Sequence, residues 1–155
     1  QQPLLKQHIE AEIKEAISET AQDCFDNLET SYTNNGYSVE KKSGTSSVEI
    51  FPEEIAATFN TKVTVTKGGE TQSYNSFNVV VGSELYQLIG IANSIIEWES
   101  TVGDADPRTY MTYYSDLEID KNKRDDGTKI YVLTNTNSGD RFQFASRSLA
   151  FAPAY

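Results

Sequence analysis

The side chains able to do chemistry fall into three groups. His8 is the only histidine and Cys24 the only cysteine. Both lie in one stretch that reads as a helix, about four turns apart, so within a single straight helix no thiolate–imidazole pair can form. Only association of two chains would bring them together, and Cys24 reads as a small core side chain. The same scarcity excludes a histidine-based metal site and a zinc knuckle. Carboxylates form the second group. Asp104 and Asp106 follow Gly103, and Asp116, Glu118, Asp120, Asn122, Asp125 and Asp126 add more in or near loops, where hard cations such as calcium find oxygen ligands. The EF-hand order fails, because Arg124 and Asp125 stand where that loop needs a ligand and then a glycine. Asp and Asn are also the ordinary residues of turns, since their side chains bond nearby backbone. A turn role is therefore the leading reading, with Asp104 and Asp106 the pair best suited to calcium. Glu97 and Glu99, two apart on a helix, point to different sides and make no acid–base pair. The third group is Trp98 with Tyr110, Tyr113 and Tyr114, rigid rings with polar tips that suit a sugar or hydrophobic ligand and more commonly fill a core.

No phosphate-cradling glycine loop, nucleophile elbow or Ser-His-Asp order can be written from these residues, so an enzyme is not expected. Carboxylates assisted by a cation are the one catalytic chemistry left open. The formal charge of −10, from 23 acidic against 13 basic residues, repels phosphate backbones and anionic headgroups, and argues against nucleic acid as a partner. Hydrophobic residues are 37% of the 155, a low share, yet nine Tyr and seven Phe supply large areas for burial. A lone cysteine rules out an intramolecular disulfide framework. The longest apolar run is a few residues, short of the eighteen or so that cross a bilayer. Abundant Thr, Ser, Asn and Tyr with few Lys and Arg fits an extracytoplasmic β-rich protein better than a cytosolic enzyme.

The elements that must position these groups follow from periodicity. Leu5, Ile9, Ile13, Ile17, Ala21, Phe25 and Leu28 recur at steps of three or four, extended by Cys24 and Tyr32. Glu10, Glu12, Glu15, Glu19, Asp23 and Asp26 line the opposite face. Residues 1–34 are thus predicted as one amphipathic helix, Pro3 suiting its first turn and Asn34-Asn35-Gly36 its end. At about 45 Å it exceeds what a domain this size needs to cover one sheet, which suits a stalk continuing a membrane segment ahead of Gln1. Residues 35–155 are predicted as one sheet body. Tyr37, Val39 and Lys41, Val48 and Ile50, Ile55 to Val65, and Tyr74 to Val81 across Lys67-Gly68-Gly69-Glu70 read as a meander of three or four strands. A second helix is predicted over 83–102, capped by Ser83 and ended by Gly103, with Leu85, Leu88, Ile89, Ala92, Ile95, Ile96 and Trp98 apolar. Strands at Leu117–Ile119, Lys129–Thr134 and Arg141–Ser146 follow. The apolar tail Ser148 to Tyr155 is expected to add an edge or reach a neighbouring subunit. The class is α+β, two helices packed on an antiparallel sheet in one domain.

The segments LYQLIGIANSIIEWESTVG (Leu85 to Gly103), YMTYYSDLEI (Tyr110 to Ile119), GTKIYVLT (Gly127 to Thr134) and SGDRFQFASRS (Ser138 to Ser148) resemble a group of uncharacterised single-pass surface proteins of small-genome archaea. So does AQDCFDNL (Ala21 to Leu28). The chain departs from that group's pattern at Ser100-Thr101 and Ala152-Pro153-Ala154. The resemblance implies a membrane segment ahead of this region and a domain outside the cell, and it brings no activity. In architecture the long N-terminal helix leading into a sheet is similar to the soluble parts of type IV pilins and pseudopilins. Together these give the expectation of an extracellular, membrane-anchored structural, adhesive or pilin-like assembly domain, partnered by a surface protein or by itself. The rival expectation is a small-molecule or carbohydrate-binding domain using Trp98 and Tyr110, Tyr113 and Tyr114.

Overall fold

The predicted N-terminal helix forms over Leu5–Asn34 (α1) in a computed structural model that describes residues 4–147. Its stop is a Schellman motif. Gly36, at φ 81°, turns the chain left-handed, its N–H donates to the Thr33 carbonyl at 2.9 Å, and the Tyr37 N–H reaches back to Tyr32 at 3.1 Å. The apolar contact that accompanies such caps is here the edge-to-face pair Tyr32–Tyr37, centroids 5.2 Å apart. Lys67 fastens the cap from outside, donating to the Asn35 carbonyl at 2.7 Å while its ammonium lies 4.7 Å from the centre of the Tyr37 ring.

Six strands follow: Ser38–Lys42 (β1), Ser46–Phe51 (β2), Glu54–Phe59 (β3), Lys62–Lys67 (β4), Glu70–Tyr74 (β5) and Phe77–Gly82 (β6). The predicted Lys67-Gly68-Gly69-Glu70 hairpin joins β4 to β5, with both glycines at positive φ. The predicted meander is corrected in two ways. The run Tyr74–Val81 is broken by Asn75-Ser76 into β5 and β6, and β1 pairs antiparallel with β4 rather than with its neighbour in sequence. The result is two three-stranded sheets, β1-β4-β5 and β2-β3-β6. Where the β1–β2 loop passes the turn after β3, Gly44 lies so close to Asn60 that an added Cβ would sit 2.0 Å from its carbonyl oxygen. Only glycine fits there.

From Leu85 the pattern is helix Leu85–Thr101 (α2), helix Pro107–Tyr113 (α3), then the antiparallel sheet Leu117–Lys123 (β7), Lys129–Asn135 (β8) and Arg141–Ser146 (β9), in the order β7-β8-β9. The N-cap of α2 is Glu84 rather than the predicted Ser83, its carbonyl accepting the Leu88 N–H at 3.1 Å; Ser83, one residue earlier, accepts the Leu85 N–H at 3.2 Å, and the Asp140 carboxylate takes the Glu84 N–H at 2.6 Å. The helix α3 is an addition to the sequence reading. Asp106 at its N-cap accepts from the Arg108 N–H, and Pro107 occupies the first turn, where its missing N–H costs nothing. Leu88, Ile91, Ala92 and Ile95 of α2 pack with Leu117, Ile119, Tyr131 and Leu133 of the sheet and with Ala105 in one buried cluster.

The fold is α+β with antiparallel sheets, as the periodicities require. In place of one body from residue 35, the chain falls into two compact units. The N-terminal unit comprises residues 7–50 and 55–81. The C-terminal unit comprises, of the described residues, 4–6, 51–54 and 82–147. Among the described residues no helix is long and apolar enough to cross a membrane. The tail Ser148 to Tyr155 and Pro3 lie outside the described residues.

Candidate functional site

In the C-terminal unit a charged group sits on the apolar stripe of α2. Leu88, Ala92 and Ile95 lead at helical spacing to Glu99, which is 1% exposed. Facing it is β8, whose inward positions are Lys129, Tyr131, Leu133 and Asn135. The Glu99 carboxylate accepts hydrogen bonds from Lys129 at 2.5 Å, from the Tyr131 hydroxyl, and from the Ala105 N–H at 3.0 Å. Asp104 completes the group, 2.7 Å from the Lys121 ammonium and 3.1 Å from that of Lys129. Lys121 also donates to the Ala105 carbonyl at 2.6 Å and Lys129 to the Gly103 carbonyl. Two carboxylates and two ammoniums thus balance, with a phenol as the fifth member.

Their titration follows from this geometry. Burial pushes the Glu99 carboxyl up, but the bonds from Lys129, Tyr131 and the Ala105 N–H outweigh it and hold the group below its ordinary range. The Lys121 ammonium does the same for Asp104. Burial pulls Lys129 down and its two carboxylates more than restore it, so it lies above the ordinary lysine value. Burial, and then the Glu99 carboxylate, push Tyr131 upward. The shifts of Glu99, Asp104 and Lys129 thus all favour their charged forms, and that of Tyr131 its neutral phenol. What the group does is fix the 103–106 loop to the sheet. Sequence reasoning missed it, although a glutamate at the fourth position of the stripe Leu88-Ala92-Ile95-Glu99 was the available signal.

The residues singled out for calcium are each engaged by a cation of the protein. Asp104 takes the two lysines, and Asp106 pairs with Arg108 through the backbone N–H at 3.0 Å and the guanidinium at 3.1 and 3.2 Å. That guanidinium holds Asp106 below its usual range. Among the described residues no three His, Cys, Asp or Glu are grouped to hold a metal ion. Glu97 and Glu99 point apart, one exposed and one buried.

The aromatic residues are brought together in part. Tyr110 of α3 and Tyr114, the residue that follows that helix, face Tyr86, Gln87 and Ser94 of α2 across a groove of about 320 Å³ whose floor is Gly90 and Ile91. Tyr110 and Ser94 share a hydroxyl–hydroxyl bond of 2.9 Å. Tyr113 is not in the lining; it is 81% exposed and stands edge-on to Tyr114 at 4.8 Å. Trp98, one turn beyond Ser94, is half exposed and outside the lining. Tyr86 was not foreseen, because its place one turn before Gly90 matters only once α3 folds back beside α2.

In the N-terminal unit the apolar stripe of α1 is only partly covered. Phe25 meets Phe77 and Phe59 edge-on at 5.2 and 6.0 Å, Lys41 bridges Asp26 and Glu29, and Glu10 accepts the Ile50 N–H at 2.8 Å. Beside these contacts runs a groove of about 730 Å³ between α1 and the β3–β6 edge, lined by Ala16, Ile17, Cys24, Phe25, Phe77 and Val79 among others, none of them charged. The strand β6 is one of the two outer strands of its sheet, and its Val79, Val80 and Val81 are 52%, 58% and 58% exposed. Comparison with protein-family models, with curated proteins and with solved structures finds no match.

Proposed function

We propose that this protein is an extracytoplasmic structural or adhesive domain of the pilin-like kind, anchored through a segment ahead of α1, that assembles with further copies of itself through the N-terminal unit. The observation that carries the reading is β6. Of the six outer strands among the described residues, β1, β2, β5, β7 and β9 each hold at least one Lys, Arg, Asp or Glu, and β6, Phe77-Asn78-Val79-Val80-Val81-Gly82, holds none. Charges on an outer strand are the usual protection against pairing with another chain, and three consecutive exposed valines are its opposite. An antiparallel strand paired with its own copy about a two-fold axis satisfies its free N–H and C=O groups reciprocally. The uncharged groove beside it offers the apolar area that a strand pair alone lacks.

Charge gives the association a signature. Each copy carries −10, so copies repel at long range, and added salt screens that repulsion while leaving the apolar contact intact. Sedimentation velocity over a concentration series should show self-association that strengthens from low to high salt and disappears in Val80→Lys. A protein monomeric throughout, or an association that Val80→Lys leaves unchanged, would overturn the reading.

A further inference from the structure

We propose that the groove between α2 and α3 in the C-terminal unit is a binding site for a neutral sugar. This does not rest on the assembly reading, which concerns the other unit. The argument is chemical. The groove offers tyrosine rings from both helices, Tyr86 on one side and Tyr110 and Tyr114 on the other. Its polar groups are hydroxyls and one amide, from Ser94, Gln87 and the tyrosines, each both donor and acceptor. Among the described residues no charged side chain lines it, so none of them would neutralise a phosphate or a carboxylate there. A ligand that presents a C–H face to a ring and hydroxyls to its edge matches both halves of this lining, and a pyranose is such a ligand.

The floor supports the same conclusion. Glycine is a poor helix former relative to alanine, and Gly90 sits in the interior of α2. Nothing lies within 4 Å of where its Cβ would be, so neither a neighbouring chain segment nor a turn requires glycine at this point. Its absence of a side chain keeps open the space between Tyr86 and Tyr110, and that space is the groove. The Ser94–Tyr110 hydroxyl pair fixes one ring at the groove wall before any ligand arrives.

The same glycine supplies the test. Gly90→Leu fills the groove, and because the space above it is empty and leucine favours the helix, the variant should fold with stability equal to or above the parent. Titrations followed by amide chemical shifts would use maltotriose, cellotriose and triacetylchitotriose, with glucose 6-phosphate as the anionic control and a decaproline peptide as the polymer control. The expected result is saturable shifts from at least one neutral trisaccharide, confined to residues of α2 and α3, with little response to the anion. Binding should fall about tenfold in Tyr110→Ala, the scale of one lost aromatic contact, and vanish in Gly90→Leu. No shifts with any of the three sugars, shifts that persist in Gly90→Leu, or a response to decaproline alone would overturn the proposal, the last by making the groove a polyproline site.

Discussion

In the C-terminal unit α2 buries Leu88, Ile89, Ile91, Ala92, Ile95 and Glu99 along seventeen residues, while α1 of the N-terminal unit, thirty residues long, buries none. Both helices have apolar stripes, so patterning alone does not separate them. The difference lies in what each stripe meets. The stripe of α2 lies in a cluster closed by three strands and reinforced by the Glu99 network. That of α1 is held at separated points, by Phe25 against Phe59 and Phe77 and by Tyr32 against Tyr37, with an uncharged groove left open beside it. An amphipathic helix with half its stripe unspent in its own unit has apolar surface for another chain, and a helix whose stripe is fully used is scaffold for what lies on its outer flank.

The largest expected effect tests the buried network. Glu99→Gln leaves Lys129 facing one carboxylate, Asp104, and removes the charged acceptor of Tyr131, so it should cost roughly 3–5 kcal/mol in chemical denaturation. A loss below about 1 kcal/mol would show that the network contributes little and that the contrast between units is one of apolar packing alone. The same network sets a pH dependence. Glu99 and Asp104 lie below their ordinary values, so their contribution is present above about pH 4.5 and is lost as the pH falls through their folded-state values. Lys129 and Tyr131 lie above theirs, so their contribution is complete below about pH 10 and is lost as the pH rises further. Stability measured from pH 2 to 6 should fall on the acid side less steeply in Glu99→Gln than in the parent.

Next comes the pair of helices itself. Ile95 is fully buried, and Ile95→Ala should cost about 2–5 kcal/mol. Ile17 lines the open groove of α1, and Ile17→Ala should cost under about 1.5 kcal/mol, since much of what it loses is already in water. Equal losses at the two positions would end the comparison, because α1 would then be as firmly packed as α2.

What the sequence made legible is what local chemistry decides. The span of α1, its end at Gly36, the Lys67-Gly68-Gly69-Glu70 hairpin and, to within one residue, the start of α2 each rest on a few adjacent residues. The partner of β1 was not legible, because pairing Val39 with Val65 is a long-range choice among strands of similar composition. Nor was α3, although Asp106-Pro107 is a start signal, because a seven-residue helix gives periodicity too little length to register. Of the candidate residues, Tyr110 and Tyr114 line one groove, and Trp98 and Tyr113 lie outside its lining. Glu99 was hidden by its type, since a charged residue on a stripe is read as a break in it until Lys129 and Tyr131 stand opposite.

The smallest expected effects compare one backbone device in the two units. Gly36 in the N-terminal unit and Glu53 in the C-terminal unit both sit at positive φ, 81° and 68°. At Gly36 the residue type matches the need, and an added Cβ would meet only the Lys67 side chain at 3.9 Å, so Gly36→Ala pays for conformation alone, about 1 kcal/mol. At Glu53 the match is absent. It follows Pro52 in the two-residue link between β2 and β3, and its carbonyl accepts the Ser83 N–H at 2.9 Å, which holds the turn in place. A left-handed non-glycine residue costs roughly 1–2 kcal/mol, and glycine returns about 0.5–1 of that to unfolded-state entropy. Glu53→Gly should therefore stabilise the protein by up to about 1 kcal/mol, opposite in sign to Gly36→Ala. Thermal melts of the two single variants check the pair. A loss of stability in Glu53→Gly would mean that the exposed glutamate side chain supplies something the left-handed turn does not, and the two turns would no longer be the same device.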